Sequence, residues 1–355
     1  MLSLVVLLIF ISVSFGKVFV VERETGKLAV IDKDKVKKEI ENLGNLNHAT
    51  LKFFKGYAYL ISRDGYLSKI DPEREVLLKK VKVGSSTIGI NFCNNKILIA
   101  NYAPKNVVLV NENLDVLREI NTESRNVGIK SNGEVFIYAL MDKKKIEIRD
   151  CEKGNLIKEL NVGRMPFDAL LYKDKYIVGF FRESGVGIID LKSLTYKKVI
   201  FKRKGKGEVV FKIPHFGFWG IKGKIAYIPA VGERKIHVVD IENMSYLRSI
   251  EVKGLPVFVQ VSPDGRYLAV NYSGDSEDFL TIVDLESEKV LNTKPLGKRI
   301  LHYRFTSDGK FIYVSSYFEN KVKKVSVPDL KVLKEFKVPT PSGVFIYGHP
   351  WEASR

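Results

Sequence analysis

The sequence predicts an all-β protein folded as an eight-bladed β-propeller, and three observations support this prediction. The apolar runs are short, rich in β-branched and aromatic residues, and show no long helical periodicity. The runs recur with a period of about 40 residues, which is typical of propellers with several strands per repeat. Eight of these runs end in one polar residue: Asp32, Asp71, Asn111, Asp150, Asp190, Asp240, Asp284 and Ser326.

The expected blade is clearest between residues 254 and 294. Strands are predicted at 257–261, 267–271, 280–284 and 289–293, with the first of them innermost. The turn Ser262-Pro263-Asp264-Gly265 should join the first two strands, because Pro presets φ and Gly accepts a left-handed conformation. The same turn is predicted at 62–65, 130–133 and 306–309.

The two ends of the chain are predicted to close the ring. Two strand-like segments, 17–21 and 28–31, precede Asp32, and a lone strand is expected at 343–347. Pairing this strand with the N-terminal ones removes exposed sheet edges. Residues 17–348 then form a single propeller domain, followed by a tail at 349–355. Seven blades are the alternative if the degenerate repeat ending at Ser326 is not counted.

Residues 1–16 have the composition of a secretory signal peptide. Leu2 to Val13 are almost wholly apolar and lead to a small-residue cleavage site before Lys17, although no Lys or Arg precedes them. The sequence therefore predicts export, with no stable membrane span after removal of this segment. Cleavage of the segment and its retention as an anchor both stay open.

Cysteine usage and charge exclude several functions. Cys93 and Cys151 form no CxxC or CxxCH motif, which excludes a zinc ribbon and an attached c-type haem, and we predict buried single thiols rather than a disulfide. The net charge of +17 would suit nucleic acid only with clustered basic residues and aromatic platforms, and export argues against that partner. A solvated surface explains most of the charge, and basic residues near the axis would attract an anionic ligand.

Residues at the start of each innermost strand should converge on the channel mouth. Aligning the repeats on their turns places these residues in one register: His48, Thr87, Arg125, Asn126, Asp168, His215, Phe258 and His302. Arg164, Lys298 and Arg299 lie just before members of the set. Imidazole, guanidinium, ammonium and aromatic groups together suit a planar, polyanionic ligand that contains a metal.

Simpler roles compete with this interpretation. A histidine near a propeller axis can instead form a hydrogen bond to a neighbouring strand, and Asp168 can instead orient Arg164 or a backbone amide. His237 and His349 are predicted to be structural or solvent-exposed. The long interval before Asp240 contains a basic run at 202–208, which could be a lid over the pocket or a solvated loop.

Several sequence motifs carry a family resemblance that spans the chain after residue 16. They lie at 43–49, 63–71, 100–102, 163–170, 212–215, 228–232, 254–259 and 341–345. With these motifs the chain resembles the NirF-type haem d1 biosynthesis proteins, which are related to the d1 domain of cytochrome cd1 nitrite reductase. The resemblance implies a periplasmic protein that binds haem d1, or its dihydro or precursor form, without a covalent bond. It also implies haem d1 maturation proteins and the nitrite reductase as partners.

The resemblance also implies roles for particular residues. His48 matches the histidine that is essential in the family, and His48 or His215 would act as proton donor or iron ligand. Arg125, Arg164, Lys298 and Arg299 would hold the carboxylates of the ligand, with Asn126, Asp168, Phe258 and His302 around it. A tailoring enzyme and a carrier of the intermediate are both compatible with this set. A periplasmic propeller that binds proteins or a polymer is the alternative function.

Overall fold

A computed structural model describes residues 16–201, 220–230 and 232–349. Within these residues the chain forms eight four-stranded antiparallel sheets, which are the blades of a β-propeller. We number the blades along the chain and give each from the axis outwards. Blade 1 contains β32 Pro341–Ile346, β1 Val18–Glu22, β2 Lys27–Asp32 and β3 Lys35–Ile40. Blade 2 contains β4 Thr50–Phe54, β5 Tyr57–Ile61, β6 Tyr66–Asp71 and β7 Val76–Lys82.

Blades 3 to 5 follow the same order. Blade 3 contains β8 Ser86–Cys93, β9 Lys96–Ala103, β10 Asn106–Val110 and β11 Val116–Asn121. Blade 4 contains β12 Asn126–Ser131, β13 Val135–Leu140, β14 Lys145–Asp150 and β15 Leu156–Asn161. Blade 5 contains β16 Pro166–Tyr172, β17 Lys175–Phe180, β18 Val186–Asp190 and β19 Thr195–Val199.

Blades 6 to 8 complete the ring, and a 3-10 turn, Gly274–Ser276, lies inside blade 7. Blade 6 contains β20 Gly220–Lys222, β21 Ile225–Ala230, β22 Lys235–Asp240 and β23 Ser245–Glu251. Blade 7 contains β24 Leu255–Val261, β25 Tyr267–Ser273, β26 Phe279–Asp284 and β27 Lys289–Pro295. Blade 8 contains β28 Tyr303–Phe305, β29 Phe311–Ser316, β30 Lys321–Ser326 and β31 Val332–Lys337.

The repeated polar residue lies at the end of the third strand of each blade or directly after it, and in blades 2 to 8 it caps the turn that follows. Asp71 Oδ1 accepts hydrogen bonds from the backbone N–H groups of Glu73 and Arg74, each at 2.9 Å. The degenerate repeat works in the same way, because Ser326 Oγ accepts from the N–H of Lys331 at 3.1 Å. A short polar side chain that mimics a backbone turn explains the recurrence of Asp, Asn and Ser. The prediction of eight blades is confirmed, and the repeat ending at Ser326 is a blade.

The two ends of the chain close the ring as predicted. β32 pairs antiparallel with β1, with Val344 opposite Val20, and becomes the innermost strand of blade 1. The N–H of Tyr347 donates to the carbonyl of Lys17 at 2.9 Å, which extends the closure by one bond. The edge of β1 that faces the axis is therefore paired and not exposed.

One predicted turn occupies a different place in its blade. Residues 62–65 connect β5 to β6, the second and third strands of blade 2, whereas 130–133 and 306–309 connect first and second strands. In an antiparallel meander these two kinds of turn lie at opposite ends of the blade. The first-to-second turn of blade 2 is instead Lys55-Gly56. Arg63 consequently lies at the mouth end of the channel, on the same side as the residues that precede each inner strand.

The prediction of two single thiols is wrong, because Cys93 and Cys151 form a disulfide. Cys93 ends β8 in blade 3, and Cys151 directly follows β14 in the neighbouring blade 4. Their Cα atoms lie 5.7 Å apart despite a sequence separation of 58 residues. The repeat brings the two positions together, since both lie at the ends of strands that run towards the face opposite the mouth.

Two histidines outside the predicted site, His237 and His349, are buried. His349, expected to begin a tail, is fully buried, and burial together with the positive charge of Arg304 lowers its pKa from 6.5 to about 4. His237 is buried as well, with Nε2 3.0 Å from Glu233 Oε2.

Some predictions concern residues that the structure does not describe. These are residues 1–15 of the predicted signal segment, the basic run at 202–208 and residues 350–355. Among the residues described, no helix is long and apolar enough to cross a membrane.

Candidate functional site

The inner strands surround a cavity of about 370 Å³ on the propeller axis. Every blade contributes lining residues from the part of the chain that the structure describes. Apolar groups such as Ile90, Ile129 and Phe345 alternate with charged ones. The cavity is thus a mixed apolar and polar pocket of the kind that binds a sizeable ligand.

Five of the predicted site residues line this cavity: His48, Asp168, Phe258, Arg299 and His302. Four others do not belong to its lining: Arg125, Asn126, Arg164 and Lys298. His215 lies outside the described residues. The inner-strand register therefore brings together about half of the set at the cavity, and local partners hold the four other described residues outside its lining.

Arg125 and Asn126 bond to neighbours in blades 3 and 4. Arg125 forms a bidentate pair with Asp142, with Nη2 2.6 Å and Nε 3.1 Å from Oδ1. The buried amide of Asn126 donates to the carbonyls of Asn101 at 2.9 Å and Asn106 at 3.0 Å. Buried carbonyl groups need hydrogen-bond donors, so Asn126 links blade 4 to blade 3.

Arg164 and Lys298 form hydrogen bonds near the mouth with their backbone N–H groups. The N–H of Arg164 donates to Glu183 Oε2 at 2.7 Å, and its Nε lies 3.9 Å from the same oxygen. The N–H of Lys298 donates to Ser316 Oγ at 2.8 Å. Both residues shape loops that enter inner strands, and neither side chain lines the cavity.

His48 lies in a tight turn at the mouth. Buried Leu43 and Leu46 anchor the segment, and the N–H of Ala49 donates to the carbonyl of Leu46 at 3.1 Å. His48 itself adopts a left-handed conformation with φ of 62° and remains exposed. A non-glycine residue rarely adopts this conformation without surrounding constraints, and it marks a candidate functional position.

The surroundings of His48 lower the pKa of its imidazole below 6.5. Partial desolvation at the mouth is the largest cause, and the positive charges of Arg23 and Arg63 add to it. All three effects disfavour the imidazolium. His48 is therefore a neutral imidazole at pH 7, the form that can accept a proton or ligate a metal.

His302 is buried deeper and held on three sides. Its ring lies 5.6 Å from that of Phe258 and 5.5 Å from that of Phe345, measured between centroids. Its Nδ1 accepts a hydrogen bond from the backbone N–H of Val344 at 2.9 Å. A neutral imidazole that accepts at Nδ1 has its hydrogen on Nε2. With this bond in place His302 is a hydrogen-bond donor at Nε2, not a metal ligand.

Two arginines at the mouth, Arg23 and Arg63, are absent from the set that the register of the repeats predicts. Arg23 lines the cavity, and its Nη2 donates to Asn47 Oδ1 in the turn that contains His48. The N–H of Arg63 donates to the carbonyl of Asn45 at 2.7 Å, which holds its turn against the same segment. Both arginines follow second strands, so an alignment restricted to inner strands could not find them.

An aromatic side chain joins the arginines across blades 1 and 8. The guanidinium carbons of Arg23 and Arg299 lie 5.9 Å and 5.8 Å from the ring centroid of Tyr317. Arg299 also lies 5.6 Å from the ring of the exposed Phe318. The carboxylate oxygens nearest to the two guanidinium groups are distant, Glu24 at 3.8 Å from Arg23 Nε and Glu277 at 3.9 Å from Arg299 Nε. Stacking thus orients two guanidinium groups whose charge is only weakly compensated.

Asp168 adds one carboxylate to the lining, on blade 5. It is buried, and its Oδ1 accepts from the N–H of Ala169 at 2.8 Å. Within the described residues there is no group of three or more His, Cys, Asp or Glu side chains that could hold a metal ion by themselves. Any metal held by these residues would need most of its ligands from elsewhere.

Comparisons with known proteins agree with this architecture. A family model described as the cytochrome D1 heme domain matches residues 15–349. Protein NirF of Stutzerimonas stutzeri is 32% identical over 351 residues, covering 92% of this chain and 90% of the relative. Protein NirF of Pseudomonas aeruginosa is 30% identical over 351 residues, covering 92% and 89%.

Two solved structures share the fold. The dihydro-heme d1 dehydrogenase NirN, solved in a ligand complex, matches with a TM-score of 0.81 and 20% identity over 94% of this chain and 76% of NirN. AztD from Citrobacter koseri matches with a TM-score of 0.72 and 14% identity over 94% of this chain and 97% of AztD. Identities this low support the fold alone. By the family model and the two NirF relatives, the chain belongs to the cytochrome d1 haem-domain family as a NirF-type protein.

Proposed function

We propose that the protein binds a late haem d1-type tetrapyrrole on the propeller axis during assembly of the nitrite reductase cofactor. The observation that carries this proposal is the neutral imidazole of His48 beside Arg23 and Arg63, at the mouth of a cavity that Arg23 and Arg299 also line. Family membership supports the choice of ligand.

The described residues fit an iron tetrapyrrole better than a free metal ion. Such a macrocycle supplies four nitrogen ligands to its iron, so the protein needs to supply only one more ligand, such as an imidazole. This agrees with a cavity that lacks a three-ligand cluster in the part of the chain described. When bound, the cofactor would supply the iron and the conjugated ring on which redox chemistry occurs.

Each side of the cavity then has a role. His48 would ligate the iron or accept a proton at the mouth, and His302 would donate from Nε2. Phe258 and Phe345 would pack against the ring, because both line the cavity and flank His302. Arg23, Arg63 and Arg299 would bind carboxylates, for which guanidinium groups are suited by geometry and charge.

We further propose that the protein acts in the periplasm, with haem d1 maturation proteins and the nitrite reductase as partners. The apolar segment at 2–13 supports export. The disulfide between Cys93 and Cys151 supports an oxidising compartment, where such bonds form and persist.

Visible spectroscopy tests the binding proposal. We expect purified protein to shift the absorption bands of added haem d1. His48→Ala should abolish or alter this shift, whereas His302→Gln, which keeps a donor, should retain the axial-ligand spectrum. His215→Ala tests the second predicted ligand. If wild-type protein causes no shift, the tetrapyrrole proposal fails and the alternative of a protein-binding or polymer-binding propeller is favoured.

Turnover separates a tailoring enzyme from a carrier. Dihydro-haem d1 is supplied with a two-electron acceptor, and its conversion is compared with a sample that lacks protein. Conversion above that control indicates a tailoring step. Binding without conversion, followed by transfer to apo nitrite reductase, indicates a carrier.

A further inference from the structure

A buried glutamate lies where the first and last blades meet. Glu22 ends β1 at the mouth end of blade 1 and is only 1% exposed. Val18 and Val20 of the same strand pack in an apolar cluster with Tyr313 and Phe336 of blade 8. Because alternate residues of a strand point to the same side, Glu22 belongs to the face that blade 1 turns towards blade 8. We call the contact between these two blades the seam.

Strand pairing places three carboxyl groups and one ammonium group on this face of blade 1. Glu22 pairs with Lys27 across β1 and β2, and Ala29, two residues further along β2, pairs with Glu39 of β3. Lys27 Nζ lies 2.8 Å from Glu39 Oε2 and 2.8 Å from Glu41 Oε1. One ammonium group is therefore shared by two carboxylates before the charge of Glu22 is counted.

The surroundings of Glu22 favour a protonated carboxyl group. Its Oε2 accepts a hydrogen bond from the hydroxyl of Thr25 at 2.6 Å, but its Oε1 is buried and has no donor among the described residues. Burial is the largest cause that raises the pKa of Glu22 above its usual 4.5, and the negative charge of Glu39 raises it further, against the opposing effects of Thr25 and Lys27. A proton on Oε1 turns this oxygen into a donor for the Glu39 carboxylate.

The charged side chains that blade 8 turns to the seam lie away from Glu22. Lys324 and Lys334 pair with each other across β30 and β31, and Lys324 Nζ lies 3.0 Å from Asp34, in the turn between β2 and β3 at the face opposite the mouth. Arg23 follows Glu22 in the chain, but it lines the axial cavity. The carboxyl group of Glu22 thus depends on its own blade for partners.

Bonds that hold the mouth end of the seam adjoin Glu22. The N–H of Arg23 donates to the carbonyl of Thr340 at 3.0 Å, and the N–H of Glu24 donates to Thr340 Oγ1 at 3.1 Å. The hydroxyl of Tyr317 in blade 8 donates to Glu24 Oε1 at 2.8 Å. An ionised Glu22 therefore places a buried negative charge next to the contacts that join blade 1 to blade 8.

We propose that Glu22 is a proton-dependent switch of ring closure: it holds a proton that it shares with Glu39, and loss of this proton loosens the mouth end of the seam. A buried charge without a donor is costly, and local opening relieves this cost by admitting water. Loosening of the seam does not depend on the proposed function. Its consequence, a pH-dependent position of Arg23 at the ligand site, does.

The direction of the pH dependence follows from the raised pKa of Glu22. The closed seam favours the protonated carboxyl group, so this group stabilises the closed form fully at pH values below the usual pKa of 4.5. The stabilisation is lost as pH rises through the raised pKa, and the opening constant increases by up to about 10-fold per pH unit in that range, because one proton is released.

Hydrogen exchange of the ligand-free protein tests this proposal. Exchange at the N–H groups of Arg23 and Glu24 is compared between wild type and Glu22→Gln at each pH from about 4 to about 8, so that the intrinsic exchange rate cancels. Gln accepts from Thr25 and donates to Glu39 but does not ionise. We expect equal exchange near pH 4 and progressively faster exchange in the wild type as pH rises.

Glu41→Gln is the matched control, because Glu41 binds the same ammonium group of Lys27 at the same distance as Glu39 does. This control should keep the wild-type profile, whereas Glu39→Gln should reduce the rise, since it removes a charge that raises the pKa of Glu22. A wild-type to Glu22→Gln ratio that does not change with pH overturns the proposal, as does a flattened profile in Glu41→Gln. If Glu22→Gln does not fold, the profile of Glu39→Gln decides. No haem d1 is present, so failure of the haem d1 titration leaves this result unchanged.

Discussion

In blades 1, 2 and 8, side chains at the channel mouth line the cavity. In blades 3 and 4, side chains at the same level form hydrogen bonds within and between the blades. On the first side lie Arg23, His48, Arg299 and His302. On the second side, Thr87 Oγ1 donates to Asn101 Oδ1 at 2.7 Å, and the amide of Asn126 joins two carbonyls of blade 3. The disulfide links these same two blades.

In this propeller the register of a residue decides where it lies, and its neighbours decide whether its side chain is available to a ligand. Arg125 and Arg299 both precede inner strands, yet the guanidinium group of Arg125 has Asp142 at 2.6 Å, whereas the nearest carboxylate to the guanidinium group of Arg299 lies at 3.9 Å. A close bidentate partner satisfies a guanidinium group. Ligand binding and structural bracing should therefore separate between the two sides when each is mutated.

The largest expected effect is on affinity at the open side. The double variant Arg23→Gln, Arg299→Gln should weaken haem d1 binding about 100-fold, because each charge-assisted hydrogen bond contributes about 1.5–3 kcal/mol. The measurement is a spectroscopic titration at fixed ionic strength. Arg125→Gln is the matched control and should change affinity less than about 3-fold. An equal loss of affinity in Arg125→Gln would show that the pairing of Arg125 with Asp142 does not keep it from the ligand.

A smaller effect is expected on stability at the braced side. Asn126→Ala removes the donor to two buried carbonyls and should lower the free energy of unfolding by about 2–3 kcal/mol. Denaturant unfolding followed by fluorescence measures this change, with the exposed Asn95→Ala as control. Haem d1 affinity should stay within about 3-fold of wild type. A variant that loses affinity but not stability would assign Asn126 to the ligand site instead.

The smallest effect concerns pH at the mouth. If His48 ligates the iron as proposed, a proton would compete with the metal for its imidazole, whose pKa lies below 6.5. Affinity should therefore stay level as pH falls from 8 to about 6.5 and decline only below that value. Arg63→Gln removes one positive charge, raises the pKa of His48 and should move the decline to higher pH. An unchanged profile in this variant would show that Arg63 does not act on His48.

Much of the architecture was predictable because its signals are local. The polar ends at Asp71 and Ser326 cap turns within their own blades, and a short side chain close in sequence is enough to do so. The turn at 62–65 was misplaced, because the same Asp-Gly chemistry serves either end of a meander. The Cys93–Cys151 bond escaped prediction since sequence separation says nothing about which blade ends adjoin.

Local sequence patterns are enough to predict the eight-fold repeat, the closure of the ring by its two ends, and the placement of His48, Asp168, Phe258 and His302 towards one axis. These follow from strand periodicity and turn chemistry, which act over a few residues. Three contacts follow only from the tertiary structure. Arg23 and Arg63 lie beside His48, and Asp142 forms an ion pair with Arg125. His302 Nδ1 accepts a hydrogen bond from the backbone N–H of Val344. Those contacts join separate blades or loops, and no local pattern encodes a partner that only ring closure brings near.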